Sequence, residues 1–383
     1  MSADRRGTLV ARAHGRASLF VGLLAALLFS APVAGAGWSG PGLVGRGGDC
    51  LQPQAAIDED GGFHVAAACG SGVTYWTKSG SSWSTTRLGR PTSAIDSGPQ
   101  ITIDGRTLYV AFSRNPAEGC GADLDAGVYY RTRTLPDGSW SPARFIGKLQ
   151  DRLQSFRVVG GSVHATITSI EGEAIYETTA SGVLKRYAIP GATGLSSLRI
   201  GSDGRARIAY EAEDSLRYAA FAGSRLASSA IPGTLGRDGY PVLVLDAGNH
   251  AHLVWERMTR RPMTRGCSDI DPPPDPPDNG TYYVTNASGA WTPSAARRIT
   301  SNVGTASLTL DVVSGRVHVL LGISNGGVRY YTKTATGSWS GEWLSSARSS
   351  GVAIRLDQPR ARLLAVYARF GAASNGIYAL TKP

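Results

Sequence analysis

Short apolar runs alternate with polar turns along almost the whole chain after residue 37. No stretch there keeps the apolar spacing of 3.6 residues that an amphipathic helix requires. The runs are rich in Val, Ile, Tyr and Trp, and Gly, Ser, Asp or Pro residues bound them. This pattern is typical of β-strands joined by tight turns, so we predict a nearly all-β protein.

Three short phrases recur in a fixed order. The first is an acidic residue, a turn and a His that leads an apolar run, as in DEDGGFHVAAA from Asp58. The second is a Gly followed by a Tyr strand, as in GVYYRT from Gly127. The third is a Gly followed by Trp and Ser or Thr, as in GSWSPARFI from Gly138. With the apolar strand before the acid, these phrases predict units of four antiparallel strands, which is the pattern of a β-propeller.

The number of blades follows from counting the phrases. The Tyr phrase occurs seven times, but a fourth strand follows only six of them because the chain ends at Pro383. The stretch GWSGPGLVG, from Gly37, resembles the missing fourth strand. We therefore predict a seven-bladed β-propeller over residues 37–383. Residues 37–46 should pair with the last blade, 349–383, and close the ring so that no sheet edge stays free.

The first 36 residues have the pattern of a secretory signal peptide. Four arginines precede the apolar run LFVGLLAALLF, which begins at Leu19, and the small residues Ala34 and Ala36 would suit cleavage. That run is shorter than the roughly 20 apolar residues that a membrane span needs. We therefore expect a secreted, extracellular chain that begins near Gly37. The alternative is that the segment is retained as a membrane anchor.

The charge and the motifs exclude several classes of function. Loss of the first 36 residues would lower the net charge from +10 to +7, and the remaining basic residues are scattered. A nucleic-acid binder is expected to concentrate its charge on one stripe or helix, so we expect no nucleic-acid partner. The sequence contains no phosphate loop, GxSxG elbow or dinucleotide fingerprint, and we expect no cofactor. We also expect a monomer.

Four histidines hold equivalent places in different blades: His64, His164, His252 and His318. One His per blade, spread around a ring, cannot gather the three or four ligands that a zinc ion requires. We therefore expect each imidazole to bond its own turn or a neighbouring acid such as Asp58, because buried polar groups need partners. On this interpretation the repeated phrase serves the fold.

The repeating units resemble those of the secreted bacterial propellers with BNR or Asp-box repeats, whose superfold includes the sialidases. The turn LPDGSWS, from Leu135, is similar to an Asp-box, which runs Ser/Thr-x-Asp-x-Gly-x-Thr-Trp between the third and fourth strands. One residue is missing here between Gly138 and Trp140. The resemblance implies a sialidase-like propeller fold over the whole mature chain. The sequence lacks the Phe/Tyr-Arg-Ile-Pro motif that sialidases generally carry.

Two loops between second and third strands are enlarged, at residues 113–127 in blade 2 and 256–280 in blade 5. Long loops inside a compact domain are usually functional or mobile. In a propeller these loops share one face with the blade-to-blade loops, around the mouth of the central funnel. We therefore expect a ligand to bind at this face.

The cysteines belong to the same face, and an even number in an exported chain predicts disulfides. Cys50 and Cys69 flank the first hairpin of blade 1 and should lie opposite each other. Their bond would close about 20 residues and contribute roughly 3 kcal/mol. Cys120 and Cys267 lie in the enlarged loops and would bridge the funnel mouth, while pairing of Cys69 with Cys120 is the alternative.

The enlarged loops also carry spaced acids that could hold calcium. These are Asp123 and Asp125 in the first loop and Asp269 and Asp271 in the second. Carboxylate and carbonyl oxygens suit that ion. The spacing matches no EF-hand, however, and solvated acids among prolines are the simpler interpretation.

Candidate residues for binding and catalysis are arginines, carboxylates and one aromatic residue at the funnel face. Arginine and aromatic side chains in a concave mouth suit a sugar or an anionic ligand. The binding candidates are Arg46, Arg90, Arg152, Arg237 and Trp255. A glycosidase needs two suitably spaced carboxyl groups, or a Tyr nucleophile in the sialidase variant. The catalytic candidates are Glu211, Glu256, Asp151 and Asp238, and no motif selects a pair among them.

The sequence therefore leaves two functional classes open. We favour a non-catalytic propeller that binds a glycan or an extracellular protein at the face with the enlarged loops. The alternative is an exo-acting, sialidase-like glycoside hydrolase. Arginines from three neighbouring blades that converge beside an acid would favour the hydrolase, whereas a mouth covered by loops would favour the binder.

Overall fold

Seven four-stranded antiparallel sheets follow one another along the chain in the computed structural model, and they form the blades of a β-propeller. The structure describes residues 37–47, 49–70, 72–89, 95–115, 126–146, 151–169, 172–178, 182, 184–222, 225–258, 278–292, 296–323, 326–371 and 375–383. Within these ranges there are strands and turns but no helix, and hence none that is long and apolar enough to cross a membrane.

The strands of the first four sheets follow the order of the chain. Strand β1 is Gly42–Arg46. Blade 1 contains β2 Cys50–Ile57, β3 Phe63–Cys69, β4 Gly72–Ser79 and β5 Ser82–Arg87. Blade 2 contains β6 Ile95–Asp104, β7 Thr107–Asn115, β8 Gly127–Thr134 and β9 Arg144–Ile146. Blade 3 contains β10 Arg152–Val159, β11 Ser162–Ser169, β12 Gly172–Thr178 and β13 Leu184–Ala188. Blade 4 contains β14 Ala192–Ile200, β15 Ala206–Ala212, β16 Leu216–Ala222 and β17 Arg225–Ala230.

The remaining sheets complete the ring. Blade 5 contains β18 Asp238–Leu245, β19 Ala251–Arg257, β20 Gly280–Thr285 and β21 Arg297–Thr300. Blade 6 contains β22 Gly304–Leu310, β23 Val317–Ile323, β24 Val328–Lys333 and β25 Ser340–Ser345. Blade 7 contains β26 Ser349–Asp357, β27 Arg362–Arg369 and β28 Gly376–Lys382, and β1 is its fourth strand.

The N-terminal strand closes the ring, as the sequence predicts. Leu43 of β1 pairs with Tyr378 of β28, and the backbone N–H of Ser39 donates to the carbonyl of Thr381 over 2.8 Å. The indole of Trp38 packs edge-on against Tyr330 of blade 6, with the ring centres 5.1 Å apart. The predicted fold, seven blades with the first strand completing the last blade, is confirmed.

Aromatic contacts between the third strand of one blade and the outer segment of the next join neighbouring blades. The Tyr of the Tyr phrase meets the Trp of the following blade edge-on, at centre-to-centre distances of 5.0 to 5.4 Å. The pairs are Tyr75–Trp140, Tyr218–Trp291, Tyr283–Trp339 and Tyr330–Trp38. Edge-to-face packing is a favoured geometry for aromatic rings, so this contact holds successive blades together.

The repeated His anchors the same Tyr from inside its own blade. Nδ1 of His64, His252 and His318 lies 2.6 Å from the hydroxyl of Tyr75, Tyr283 and Tyr330, respectively. The expected acidic partner is confirmed for His64, whose Nε2 lies 2.9 Å from Asp58, and His164 bonds Glu177 instead. The three phrases therefore form one contact chain: His bonds Tyr, and Tyr packs on the next Trp.

The first of the expected disulfides is present. Cys50 and Cys69 face each other in the register of β2 and β3, with their Cα atoms 4.0 Å apart, and their sulfurs are bonded. Cys120 and Cys267 lie outside the described residues. The bond fixes the start of the first strand of blade 1 against the end of its second strand.

The buried imidazole of His318 should make stability depend on pH. Burial lowers its pKa from 6.5 to about 4, so the unfolded chain takes up this proton at a higher pH than the folded protein does. The free energy of unfolding should therefore fall as the pH drops from 6.5 to 4, with up to about 3 kcal/mol of that loss due to His318. Blade 7 has Leu364 at the equivalent position, so His318→Leu should fold and should show a smaller loss. Urea unfolding of the parent and of His318→Leu at pH 7 and pH 4.5 measures the loss in each protein. Equal losses in the two proteins would show that His318 does not cause the pH dependence.

Candidate functional site

The first strand of each blade is its inner strand, and all seven inner strands start at one face of the ring. In blade 5, Asp238 at the start of inner strand β18 pairs with Arg257 at the end of β19. The enlarged loops therefore leave from this face, which we call the mouth. Only the ends of these loops are described. Arg90, Cys120, Cys267 and the four calcium candidates Asp123, Asp125, Asp269 and Asp271 lie outside the described residues.

At the mouth, three blades fasten the inner strand to the second strand at the same register position. Blade 1 uses the disulfide, and blades 2 and 5 use buried ion pairs between an aspartate and an arginine. In blade 5, Nε of Arg257 donates to Oδ1 of Asp238 over 2.7 Å, and Nη2 donates to Oδ2 over 2.8 Å. The guanidinium also lies over the ring of Tyr282, 4.5 Å from its centre. Asp238 is therefore engaged in holding two strands together.

Two of the predicted carboxylates, Glu211 and Glu256, occupy equivalent positions in neighbouring blades. Both are nearly buried, at 9% and 4% exposure. Oε1 of Glu211 accepts the backbone N–H of Tyr240 in the next blade over 2.8 Å. Burial, with a smaller contribution from the charge of Glu211, raises the pKa of Glu256 to about 8. The structure thus brings these two candidates together.

A third carboxylate, Glu173 of β12, belongs to the same group. Burial raises its pKa to about 7; a hydrogen bond with Ser196 of blade 4 opposes this shift, and the charge of Glu211 adds to it. The sequence analysis did not select Glu173. A signal existed, because the same register position in the other six blades holds Val73, Val128, Leu216, Thr281, Val328 and Ile377.

Tyr240 is exposed at the mouth in an unusual backbone conformation. The inner strand bulges there, and Tyr240 has a φ of +55° while its side chain is 49% exposed. At the equivalent bulge, blades 2 and 7 have Gly98 and Gly351, with φ of +59° and +60°, and blade 1 has Gln52 at +51°. Such a conformation costs a residue with a side chain about 1–2 kcal/mol. Two of these four bulges thus have glycine, and the other two have exposed side chains, Gln52 and Tyr240, on a backbone that favours glycine.

The other predicted residues are dispersed around the same face. Arg46 of β1 and Arg152 at the start of β10 are exposed, and Arg237 forms an ion pair with Asp278. Asp151 is buried directly before β10. Trp255 is fully buried and stacks on Tyr282, with the ring centres 5.5 Å apart, so it cannot contact a ligand in this conformation.

No cluster of three or more His, Cys, Asp or Glu side chains suited to a metal ion occurs among the described residues. The arrangement at the mouth combines a group of nearly buried glutamates, an exposed tyrosine on a strained backbone and exposed arginines on β1 and β10.

Comparison of the sequence with protein-family models and with curated proteins gave no match. Solved structures do share the fold. An inactive variant of virginiamycin B lyase from Staphylococcus aureus, bound to quinupristin, matches at a TM-score of 0.58 and 12% identity, covering 88% of this chain and 96% of the other. An α-L-arabinofuranosidase of Fusarium graminearum with arabinobiose matches at 0.53 and 12%, covering 90% and 97%.

A sialidase from Streptococcus pneumoniae matches at a TM-score of 0.48 and 12% identity, covering 90% of this chain and 70% of the other. At these identities the likeness concerns the fold alone. The expected fold, a seven-bladed β-propeller, is confirmed.

Removal of the Asp238 carboxylate should test whether it serves the fold. Asp238→Ala leaves the buried guanidinium of Arg257 without its main counter-charge, and we expect a loss of about 3–5 kcal/mol in the free energy of unfolding. Asp238→Ala/Arg257→Leu removes both charges and should lose less than the single variant. Chemical denaturation of the three proteins measures this, and equal losses in both variants would show that the pair does not clamp the strands.

The raised pKa of Glu256 predicts a dependence of stability on pH that is opposite to the one predicted for His318. The unfolded chain releases this proton near pH 4.5 and the folded protein only near 8, so stability should decline as the pH rises through this range. Glu256→Gln should remove a decline of a few kcal/mol between pH 5 and pH 8.5. Glu213→Gln changes an exposed carboxylate nearby and should leave the profile as it is. Identical profiles for Glu256→Gln and the parent would contradict the shift.

Proposed function

We propose that this chain is an exported, non-catalytic propeller that binds a glycan at the mouth, with Tyr240 as the central contact. The observation that carries this proposal is the exposure of Tyr240 on a backbone that favours glycine. Strained residues persist where the surroundings over-determine them, and they cluster at ligand sites. Glu211 supplies that constraint here by accepting the N–H of Tyr240.

The exposed ring of Tyr240 suits a sugar, and other blades add exposed polar groups at the same face. An exposed aromatic ring offers an apolar face to the C–H groups of a sugar ring, and a polar hydroxyl remains free to hydrogen-bond. Gln52 is exposed at the equivalent bulge of blade 1, and Arg152 is exposed at the start of blade 3. A few polar groups around an aromatic contact give a concave site its orientation and specificity.

The state of the carboxylates supports binding without cleavage. A glycosidase needs two carboxyl groups on either side of the scissile bond. Asp238 is occupied by Arg257, Glu211 by the backbone of Tyr240, and Glu256 is 4% exposed. Export is supported by the bond between Cys50 and Cys69, since disulfides persist in oxidising compartments.

A second candidate function is glycoside hydrolysis, and one observation favours it. Burial, with a smaller contribution from the charge of Glu211, raises the pKa of Glu256 to about 8. A carboxyl group that stays protonated near neutral pH can act as a general acid. One protein with this fold is an α-L-arabinofuranosidase whose structure contains arabinobiose. If the glutamates act on a sugar, Glu256 is the general acid.

Glycan binding by Tyr240→Gly tests the proposal. We expect the dissociation constant for a glycan that binds the parent to rise at least tenfold, because the aromatic contact is lost. Stability should stay within about 1 kcal/mol, since relief of backbone strain opposes the greater unfolded-state entropy of glycine. The probes are arabinobiose, sialyllactose and a panel of immobilised oligosaccharides, and binding is measured by calorimetry.

The control is Phe145→Ala, which removes an equally exposed aromatic residue on the outer strand of blade 2. It should leave binding unchanged. Equal affinities of Tyr240→Gly and the parent would overturn the site. If the parent releases reducing sugar and Glu256→Gln does not, the protein is a glycoside hydrolase and the proposal of a non-catalytic binder is wrong.

A further inference from the structure

The inner strands enclose a cavity on the axis of the ring. It has a volume of about 290 Å³, and residues from all seven blades line it. One register position per inner strand directs its side chain into this cavity, opposite the His position of the second strand. These residues are Ala56, Thr102, Arg157, Arg199, Val244, Thr309 and Arg355.

Three of the seven axial residues are arginines: Arg157, Arg199 and Arg355. Each donates one Nη1–H to the carbonyl of the residue before it, over 2.6, 2.8 and 2.7 Å. Among the residues that the structure describes, no carboxylate forms an ion pair with any of the three. The remaining donors of each guanidinium are therefore available to the cavity.

The three charges disfavour one another. Each of the three arginines is half-buried, and the cavity gives each only partial contact with solvent. Burial, together with the charge of Arg355, lowers the pKa of Arg157 to about 9, and burial lowers that of Arg355 to about 10. The pKa of Arg199 is lowered further, by burial and by both neighbouring arginines. Buried charges are normally paired, so this arrangement requires an explanation.

We propose that this axial cavity binds a compact oxyanion of two or more negative charges, of the phosphate, sulfate or tricarboxylate kind, between Arg157, Arg199 and Arg355. The guanidinium fork matches the oxygen geometry of these anions and can donate two hydrogen bonds to each group. The hydroxyls of Thr102 and Thr309 add neutral donors at the same level of the ring. Within the described part of the chain, no acidic side chain lines the cavity to repel the anion.

The site is distinct from the glycan site at the mouth. Arg157 and Arg355 each lie two residues before the end of their inner strand, and Arg199 lies one residue before. Tyr240 lies two residues after the start of its inner strand. The arginines therefore belong to the end of the ring that carries the first hairpins, and the inference does not depend on the proposed function.

The first experiment measures binding of inorganic phosphate, sulfate and citrate to the purified protein by calorimetry, at constant ionic strength in chloride. We expect saturable binding of at least one anion and a rise of several degrees in the melting temperature at saturation. Arg199→Thr should weaken binding at least tenfold, and Arg157→Thr/Arg199→Thr should abolish both signals. Threonine is the natural residue at this position in blades 2 and 6, so we expect these variants to fold.

The matched control is Arg225→Thr, which removes an exposed arginine from the outer strand of blade 4. Its affinity should equal that of the parent. Equal affinity of the double variant and the parent would overturn the site, as would the absence of saturable binding for all three anions.

A second measurement uses the unaltered protein and does not depend on how the variants fold. Phenylglyoxal modifies accessible arginines, and peptide mass spectrometry reports each position. Phosphate, or whichever anion binds, should slow modification of Arg157, Arg199 and Arg355 at least fivefold relative to chloride, while Arg225 reacts at the same rate. Equal protection of Arg225 would show that the anion acts generally and would contradict a specific axial site.

Discussion

The edge-on contact between a tyrosine and the next blade's tryptophan joins the sheets of this ring. Each blade is a small four-stranded sheet, so it needs its neighbour to cover its apolar faces. At four junctions this cover includes a Tyr–Trp pair, and in three of them a buried histidine of the same blade binds the hydroxyl of the tyrosine. Because the chain repeats these residues, the blades at these four junctions make the same contact with the next blade.

Departures from this repetition place polar groups at positions where the other blades are mostly apolar or small. Glu173, Glu211 and Glu256 stand at positions where most blades are apolar or small, and Tyr240 stands where two blades have glycine. The axial arginines follow the same logic, since the other four blades carry Ala, Thr or Val there. A repeat protein can tolerate such changes because each blade is held mainly by its two neighbours.

Much of the fold can be predicted from the sequence because it depends on pairing between strands that are close in the chain. The candidate site is harder to predict, because its residues come from different blades and the register of each blade must be known. The pairing of Cys50 with Cys69 follows from one hairpin, and the seven blades follow from counting one phrase. The bulge near Tyr240 is harder to detect, because one extra residue changes which side chains face inward. When the position of the bulge is unknown, the sequence places Trp255 among the exposed residues of the mouth. In the structure its side chain is fully buried. The axial arginines are likewise separate residues until the inner strands are aligned.

The pairing of β1 with β28 joins residues as far apart as Ser39 and Thr381, which are 342 positions apart. During synthesis from the N-terminus, β1 has no pairing partner until β28 has been made. Any premature stop would leave this strand unpaired and the last sheet incomplete, with an edge open to proteases or to another chain. Closure of the ring therefore requires both β1 and β28, and a polypeptide that lacks either strand cannot complete the seventh sheet.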